Sequence, residues 1–134
     1  MKDVYEFLSC NTVQYLATID RNGLPKVRPF MMLAIHEDKF YFAVGADKEV
    51  YKELKNNPNL EVAASSPTFD WLRISGKAVF IDDVELKNKL TQETDISEST
   101  YKNNNSSDFE VFYIGDATIL FASAGAKEPK VIKA

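Results

Sequence analysis

Cysteine and histidine are nearly missing from this chain of 134 residues. There is one of each, Cys10 and His36. A lone cysteine cannot form an internal disulfide, and the reducing cytosol is its natural compartment. One histidine and one cysteine cannot build a zinc cluster, so no metal site is expected. Basic charge is not in excess either. The net charge is −4, which argues against a nucleic-acid binder that works by neutralising phosphates. No stretch approaches the roughly 18 apolar residues of a membrane span. The opening MKDVYEFLSCN has no apolar run of signal-peptide length. Neither GxGxxG nor GxxxxGK occurs, so the standard nucleotide loops are missing. No catalytic constellation stands out, and no residue is assigned a catalytic role. His36 reads as a partly exposed strand-end residue and Cys10 as a small packing residue.

What the chain does have is apolar and aromatic. Hydrophobic residues make up 45%, including nine Phe, six Tyr and one Trp. That suffices for the core of one domain over residues 1–134. Val4, Phe7 and Leu8 fall at i, i+3, i+4 and predict a short helix over 3–10. Residues 13–20 read as a strand, Arg21-Asn22-Gly23 as a hairpin turn, 25–36 as a second strand and 40–45 as a third. Residues 47–57 read as a helix capped by Asp47 and stopped by Pro58, with Val50 and Leu54 as its apolar pair. Strands follow at 60–65 and 70–82. The second of these carries Leu72, Ile74, Gly76, Ala78 and Phe80 on its core face. Residues 83–92 look helical, with Val84, Leu86 and Leu90 inward. Glu98–Asp108 reads as a polar surface loop. A last strand over 109–123 is expected to bulge at Gly115, and the tail carries little signal. The tally is about six antiparallel strands with short helices between some of them. This mainly β pattern suggests a barrel or sandwich.

Three places could hold a ligand. The second strand is apolar on both faces, so a helix, a ligand or a partner subunit must cover the outer one. Pro29 lacks an N–H, which points to a break in the ladder or a bulge at that position. Arg28 sits inside this strand and needs a partner there, either a phosphate or a carboxylate. At Gly45-Ala46-Asp47-Lys48 a strand ends and a helix begins. Free N–H groups, the helix dipole and Lys48 would attract an anion. Trp71 lies away from the expected core and could cover a planar ring or anchor a dimer contact.

These pieces occur in an order that resembles the pyridoxamine 5'-phosphate oxidase-like family. The resemblance runs through TVQYLATIDRNGLPKVRPFMML, FYFAVGADKEVYKELKNNPNLEVAA, WLRISGKAVFIDD and DATILFAS. It implies an FMN-binding split β-barrel that works as a homodimer with the cofactor between subunits. It also implies that Arg28 and Lys48 grip the FMN phosphate. Pro29, Phe30, Met31, Met32 and Leu33 would run beside the flavin ring, partly through backbone atoms. Tyr41 and Phe42 would line the cofactor, and Trp71 would stand where the oxidases carry a glutamine. Two departures bear on activity. Ala46-Asp47 replaces the Ser-Arg of the oxidases, and Leu33 replaces a lysine. The tail also holds no counterpart of the C-terminal Arg-x-His that helps bind pyridoxal phosphate. The implied function is a flavin oxidoreductase that is not a true pyridoxamine phosphate oxidase. The alternative is a non-catalytic carrier of a flavin or haem on the same fold. A third reading, an unrelated OB-like barrel, is disfavoured by the acidic balance.

Overall fold

The computed structural model describes residues 1–92 and 109–134; the expected polar loop at Glu98–Asp108 lies outside the described residues. Helix α1 (Lys2–Cys10) opens the chain, followed by strands β1 (Gln14–Ile19), β2 (Pro25–Phe30), β3 (Ala34–His36) and β4 (Lys39–Gly45). Helix α2 (Glu49–Asn56) leads into β5 (Asn59–Ser65) and β6 (Trp71–Phe80), and helix α3 (Val84–Gln92) precedes β7 (Phe109–Ala122) and β8 (Lys130–Lys133). The strands form one antiparallel sheet in the order β2-β1-β5-β6-β7-β4-β3, with β8 on the free side of β7.

The sheet curls round a core without closing its hydrogen-bond ladder. Its two edge strands, β2 and β3, are consecutive in sequence. Met31–Leu33 carries the chain from one edge to the other. This is a split barrel, and the split runs between β2 and β4. On that side β4 pairs with β3 only through Lys39, Phe40 and Tyr41. The residues from Phe42 to Gly45 pair only with β7. Phe40, Phe42, Phe112, Leu16, Ile74 and Ile119 fill the interior. Val4 and Leu8 of α1 and Leu54 of α2 seal it. A smaller cluster of Leu33, Tyr41, Val111 and Leu90 joins α3 to the outer side of β4 and β7.

Several expectations need correction. The predicted second strand, 25–36, is two strands. Pro29 keeps its place in the ladder, opposite Tyr15, and the break comes two residues later. An edge strand has one side with no ladder to make, so a missing N–H is tolerated there. The chain leaves the sheet at Met31 because Gln14, only 2% exposed, captures the Met32 N–H at 2.9 Å. Eight strands replace about six, since β2 and β3 are separate and β8 was not foreseen. The bulge in β7 falls at Asp116 and Ala117, beside Gly115. Both residues lie opposite the single Gly76, and Asp116 takes a positive φ of 51°. Val84 is exposed rather than inward, while Leu90 is fully buried. Cys10 is exposed and is no packing residue.

Candidate functional site

Arg28 projects from the inner face of β2, opposite buried Leu16. A guanidinium there must find acceptors, and three are in place. Its Nη1 donates to Thr18 Oγ1 at 2.7 Å and to the Leu16 carbonyl at 3.2 Å. Its Nη2 donates to Glu53 Oε1 at 2.9 Å. The Thr18 hydroxyl donates to the same Glu53 oxygen at 2.9 Å. Glu53 reaches this point because it shares the inward face of α2 with Leu54. Of the two partners read from the sequence, the carboxylate is the one the chain itself supplies. The side chains of Arg28 and Glu53 are 22% and 10% exposed. No partner falls to the Nε edge of Arg28 among the described residues.

This network floors a cleft of about 550 Å³ between the β1–β2 hairpin and α2. Its rim is charged and largely self-neutralised. Lys26 lies 3.8 Å from Asp20, and Lys52 lies 3.5 Å from Glu49. Asp20 is held below the usual carboxylate range, first by the Leu24 N–H, then by that of Asn22 and by Lys26 and Arg21.

The junction at Gly45–Lys48 differs from its sequence reading. Asp47 does not cap α2. The Lys48 N–H bonds the Gly45 carbonyl at 3.0 Å, which makes a turn before the helix. That turn moves the N-cap to Lys48, with no side-chain cap bond, and helix geometry begins at Glu49. The first turn of α2 therefore keeps N–H groups without a side-chain acceptor. Lys48 is exposed and makes no ion pair among the described residues. Asp47 folds back over Gly45: a methyl group placed on Gly45 would lie 2.8 Å from Asp47 Oδ1.

The residues expected beside a flavin ring divide between two faces. Phe30 points inward, with its ring 5.9 Å from that of Phe42. Phe42 is 1% exposed and its ring stacks on Phe112 at 5.6 Å, so its side chain belongs to the core. Met32 also packs toward the core. Pro29 and Met31 are exposed. Leu33 is buried with Leu90, and its N–H bonds the Tyr41 carbonyl at 2.8 Å. Tyr41 packs beside Tyr113 in the same cluster, and burial pushes its phenol above the ordinary value. His36 lies at the end of β3, half-buried, 3.9 Å from Glu37.

Trp71 lies on the outer face of the sheet, opposite in direction to Arg28. Within one chain the two are not brought together. The Arg73 guanidinium lies 5.1 Å over the Trp71 ring and 3.6 Å from Glu61. Tyr15, Ala63, Ser65, Trp71 and Arg73 line an open, mainly apolar cleft of about 400 Å³. Around it the outer face is unusually apolar, with Tyr15, Val27 and Val131 each more than half exposed.

Three residues that fix the geometry around Arg28 and Met32 left little or no mark in the sequence: Gln14, Thr18 and Glu53. Glu53 left a signal. It lies three residues after Val50 and beside Leu54, so it falls on the apolar stripe of a short helix. A carboxylate there needs a cation, and Arg28 was the cation in need of a partner. Gln14 and Thr18 left none, because their roles depend on the strand pairing.

Three groups suit a phosphate monoester in type: the Nε edge of Arg28, Lys48 and the uncapped start of α2. Arg28 and Glu49 line one cleft, and Lys48 is not among its lining residues. Asp47 and Glu53 stand against a phosphate as carboxylates.

Comparison with known proteins gives a family and a fold. The model of the family described as pyridoxamine 5'-phosphate oxidase matches residues 1–122. No curated protein matches the chain. Among solved structures, a NimC/NimA family protein from Clostridium acetobutylicum is 26% identical, with a TM-score of 0.87. The alignment covers 100% of this chain and 92% of that one. A pyridoxamine 5'-phosphate oxidase-related, FMN-binding protein from Nostoc punctiforme is 16% identical, with a TM-score of 0.73 over 97% and 86% of the two chains. A haem-binding protein from Mycobacterium smegmatis is also 16% identical, with a TM-score of 0.76 over 95% of this chain and 55% of that one.

Proposed function

We propose, from the premise that the chain belongs to the pyridoxamine 5'-phosphate oxidase family, that it is a dimeric FMN-binding oxidoreductase. The observation that supports this reading is Arg28, half-buried, whose Nε edge has no partner among the described residues and which lines a cleft together with Glu49 of the uncapped first turn of α2. When bound, FMN supplies hydride and electron transfer at its ring, and the protein's task is to hold, orient and dry it. In this reading Arg28 and Lys48 bind the phosphate. The Pro29–Leu33 segment runs beside the ring, with Phe30 and Met32 turned inward and Met31 outward. Tyr41 and the Phe42 backbone line the same side, and Trp71 completes the pocket from the partner subunit. No side chain is required as an acid or base.

The substrate is not pyridoxamine phosphate in this reading. Leu33 stands where the oxidases carry lysine, and it is buried among apolar side chains, so it offers no charge to a substrate phosphate. The dimer is supported by the outer face. Tyr15, Val27 and Val131, at 52%, 67% and 57% exposure, are costly to leave in water and suit a second copy of the chain. Light scattering of the pure protein is expected to give twice the chain mass.

The direct test is the absorption spectrum of freshly purified protein and its titration with FMN. Flavin bands, or FMN binding by the apo-protein, support the proposal; neither in any preparation ends it. A second reading, a binding module without turnover, draws on Asp47, whose carboxylate lies over Gly45 where the oxidases carry arginine. It gains if bound FMN is never reduced by NADH or NADPH, or if a haem Soret band replaces the flavin bands.

A further inference from the structure

We propose that Glu53 sets how tightly this protein holds a flavin phosphate, acting as a built-in anion that shares Arg28 with it. The inference rests on the FMN reading and adds a residue that no part of that reading requires. Glu53 Oε1 takes the end of the guanidinium, 2.9 Å from Nη2, while Thr18 fixes the same oxygen from the other side at 2.9 Å. The guanidinium is therefore held in one orientation before any ligand arrives. Among the described residues its Nε edge has no partner, and that edge is left for a phosphate. That is pre-organisation, and it favours binding.

Charge acts the other way. With Glu53 ionised, the Arg28 pair carries no net charge. The neighbouring pairs Lys26–Asp20 and Lys52–Glu49 are also neutral, which leaves Arg21 as the lining cation outside these pairs. A phosphate dianion on the free edge of Arg28 would lie within a few bond lengths of the Glu53 carboxylate and be repelled by it. Glu53 thus keeps Arg28 in place at the expense of phosphate affinity. Glutamine separates the two effects. Its amide oxygen still accepts from Arg28 and Thr18, but the charge is gone.

The experiment compares FMN with riboflavin, which has the same ring and no phosphate. Apo-protein is titrated with each while flavin fluorescence is followed, for wild type, Glu53→Gln, Glu53→Ala and Arg28→Ala. Thermal melting of every apo-protein checks the fold. The expected result is FMN binding about tenfold tighter in Glu53→Gln, the effect of removing one unit charge a few ångströms from a dianion at the edge of a solvent-open cleft. Riboflavin binding stays unchanged. If Glu53→Gln does not fold, Glu53→Ala carries the test, since water in the open cleft can solvate the freed guanidinium.

Three outcomes overturn the proposal. In the first, wild type prefers FMN to riboflavin and Arg28→Ala abolishes the preference, yet neither Glu53 variant binds FMN more tightly. Glu53 is then irrelevant while the phosphate reading stands. In the second, both flavins bind more tightly by the same factor, so Glu53 acts on the ring or the fold. In the third, no variant distinguishes FMN from riboflavin, and the phosphate reading falls with the proposal.

Discussion

Replacing Arg28 by alanine is expected to damage the apo-protein as well as any cofactor site. The side chain makes three hydrogen bonds, to Leu16, Thr18 and Glu53. All three are charge-assisted by the guanidinium; the bond to the carboxylate contributes about 1.5–3 kcal/mol, and the two to neutral acceptors about 1–1.5 kcal/mol each beside the open cleft. Removing the cation also strands Glu53, whose residual partner is the Thr18 hydroxyl. Breaking a fully buried pair costs about 3–5 kcal/mol, but this pair borders an open cleft and water can reach the carboxylate. The balance is a loss of about 3 kcal/mol, or a fall in melting temperature of about 10 °C for a chain of this size. Urea unfolding of the apo-protein measures it directly. Glu53→Ala in the Arg28→Ala background should recover part of the loss, with a coupling energy above about 1 kcal/mol. A single-variant loss below about 1 kcal/mol, with no coupling, would refute the network as a structural element.

Gly76→Ala should destabilise the protein by about 2–3 kcal/mol in urea, because its methyl would lie 2.5 Å from both the Gly115 carbonyl oxygen and Ile114 Cγ2; a neutral result would mean the bulge in β7 relaxes freely. Val27→Lys, on the 67%-exposed outer face, should turn the expected dimer into a monomer in light scattering while melting stays close to wild type. Tyr5 donates its hydroxyl to Asp38, and that bond, with burial and the Asp38 charge adding to it, pushes its phenol from 10.0 up to about 12. The protonated phenol is the form the fold favours. Its contribution is therefore complete below pH 10 and lost as pH rises through 12. The melting difference between wild type and Tyr5→Phe should shrink over that window; a difference that stays constant with pH rules the bond out.

The elements that could be read from the sequence are those in which local pattern and burial agree. Strand β6 places Leu72 and Ile74 at alternate positions, and both are buried as expected. Helix α2 ends before Pro58, as proline requires. The errors sit where a long-range contact decides. Nothing local in 25–36 marks the break at Met31, since it depends on Gln14 from a different strand. Strand β8 is a stretch of four residues, and it exists because β7 is long enough to offer an edge beyond β4. Asp47 has the residue type of a cap, but the Gly45–Lys48 turn consumes the position where it would cap.

The sequence establishes that a cation, Arg28, lies in an apolar strand and needs an acceptor, because leaving it unpaired would cost several kcal/mol. It does not establish which acceptor, because phosphate and carboxylate satisfy the same donors. Family resemblance points to the phosphate, and the fold supplies Glu53. Both can hold together only because guanidinium has two usable edges. Glu53 and Thr18 take one, and the other has no partner among the described residues. A lysine at position 28 would offer a single point of charge and could not serve two anions in fixed directions. On the proposed reading, arginine is needed at this position twice over: once to hold α2 against β1 and β2 without a ligand, and once to leave a donor edge for one.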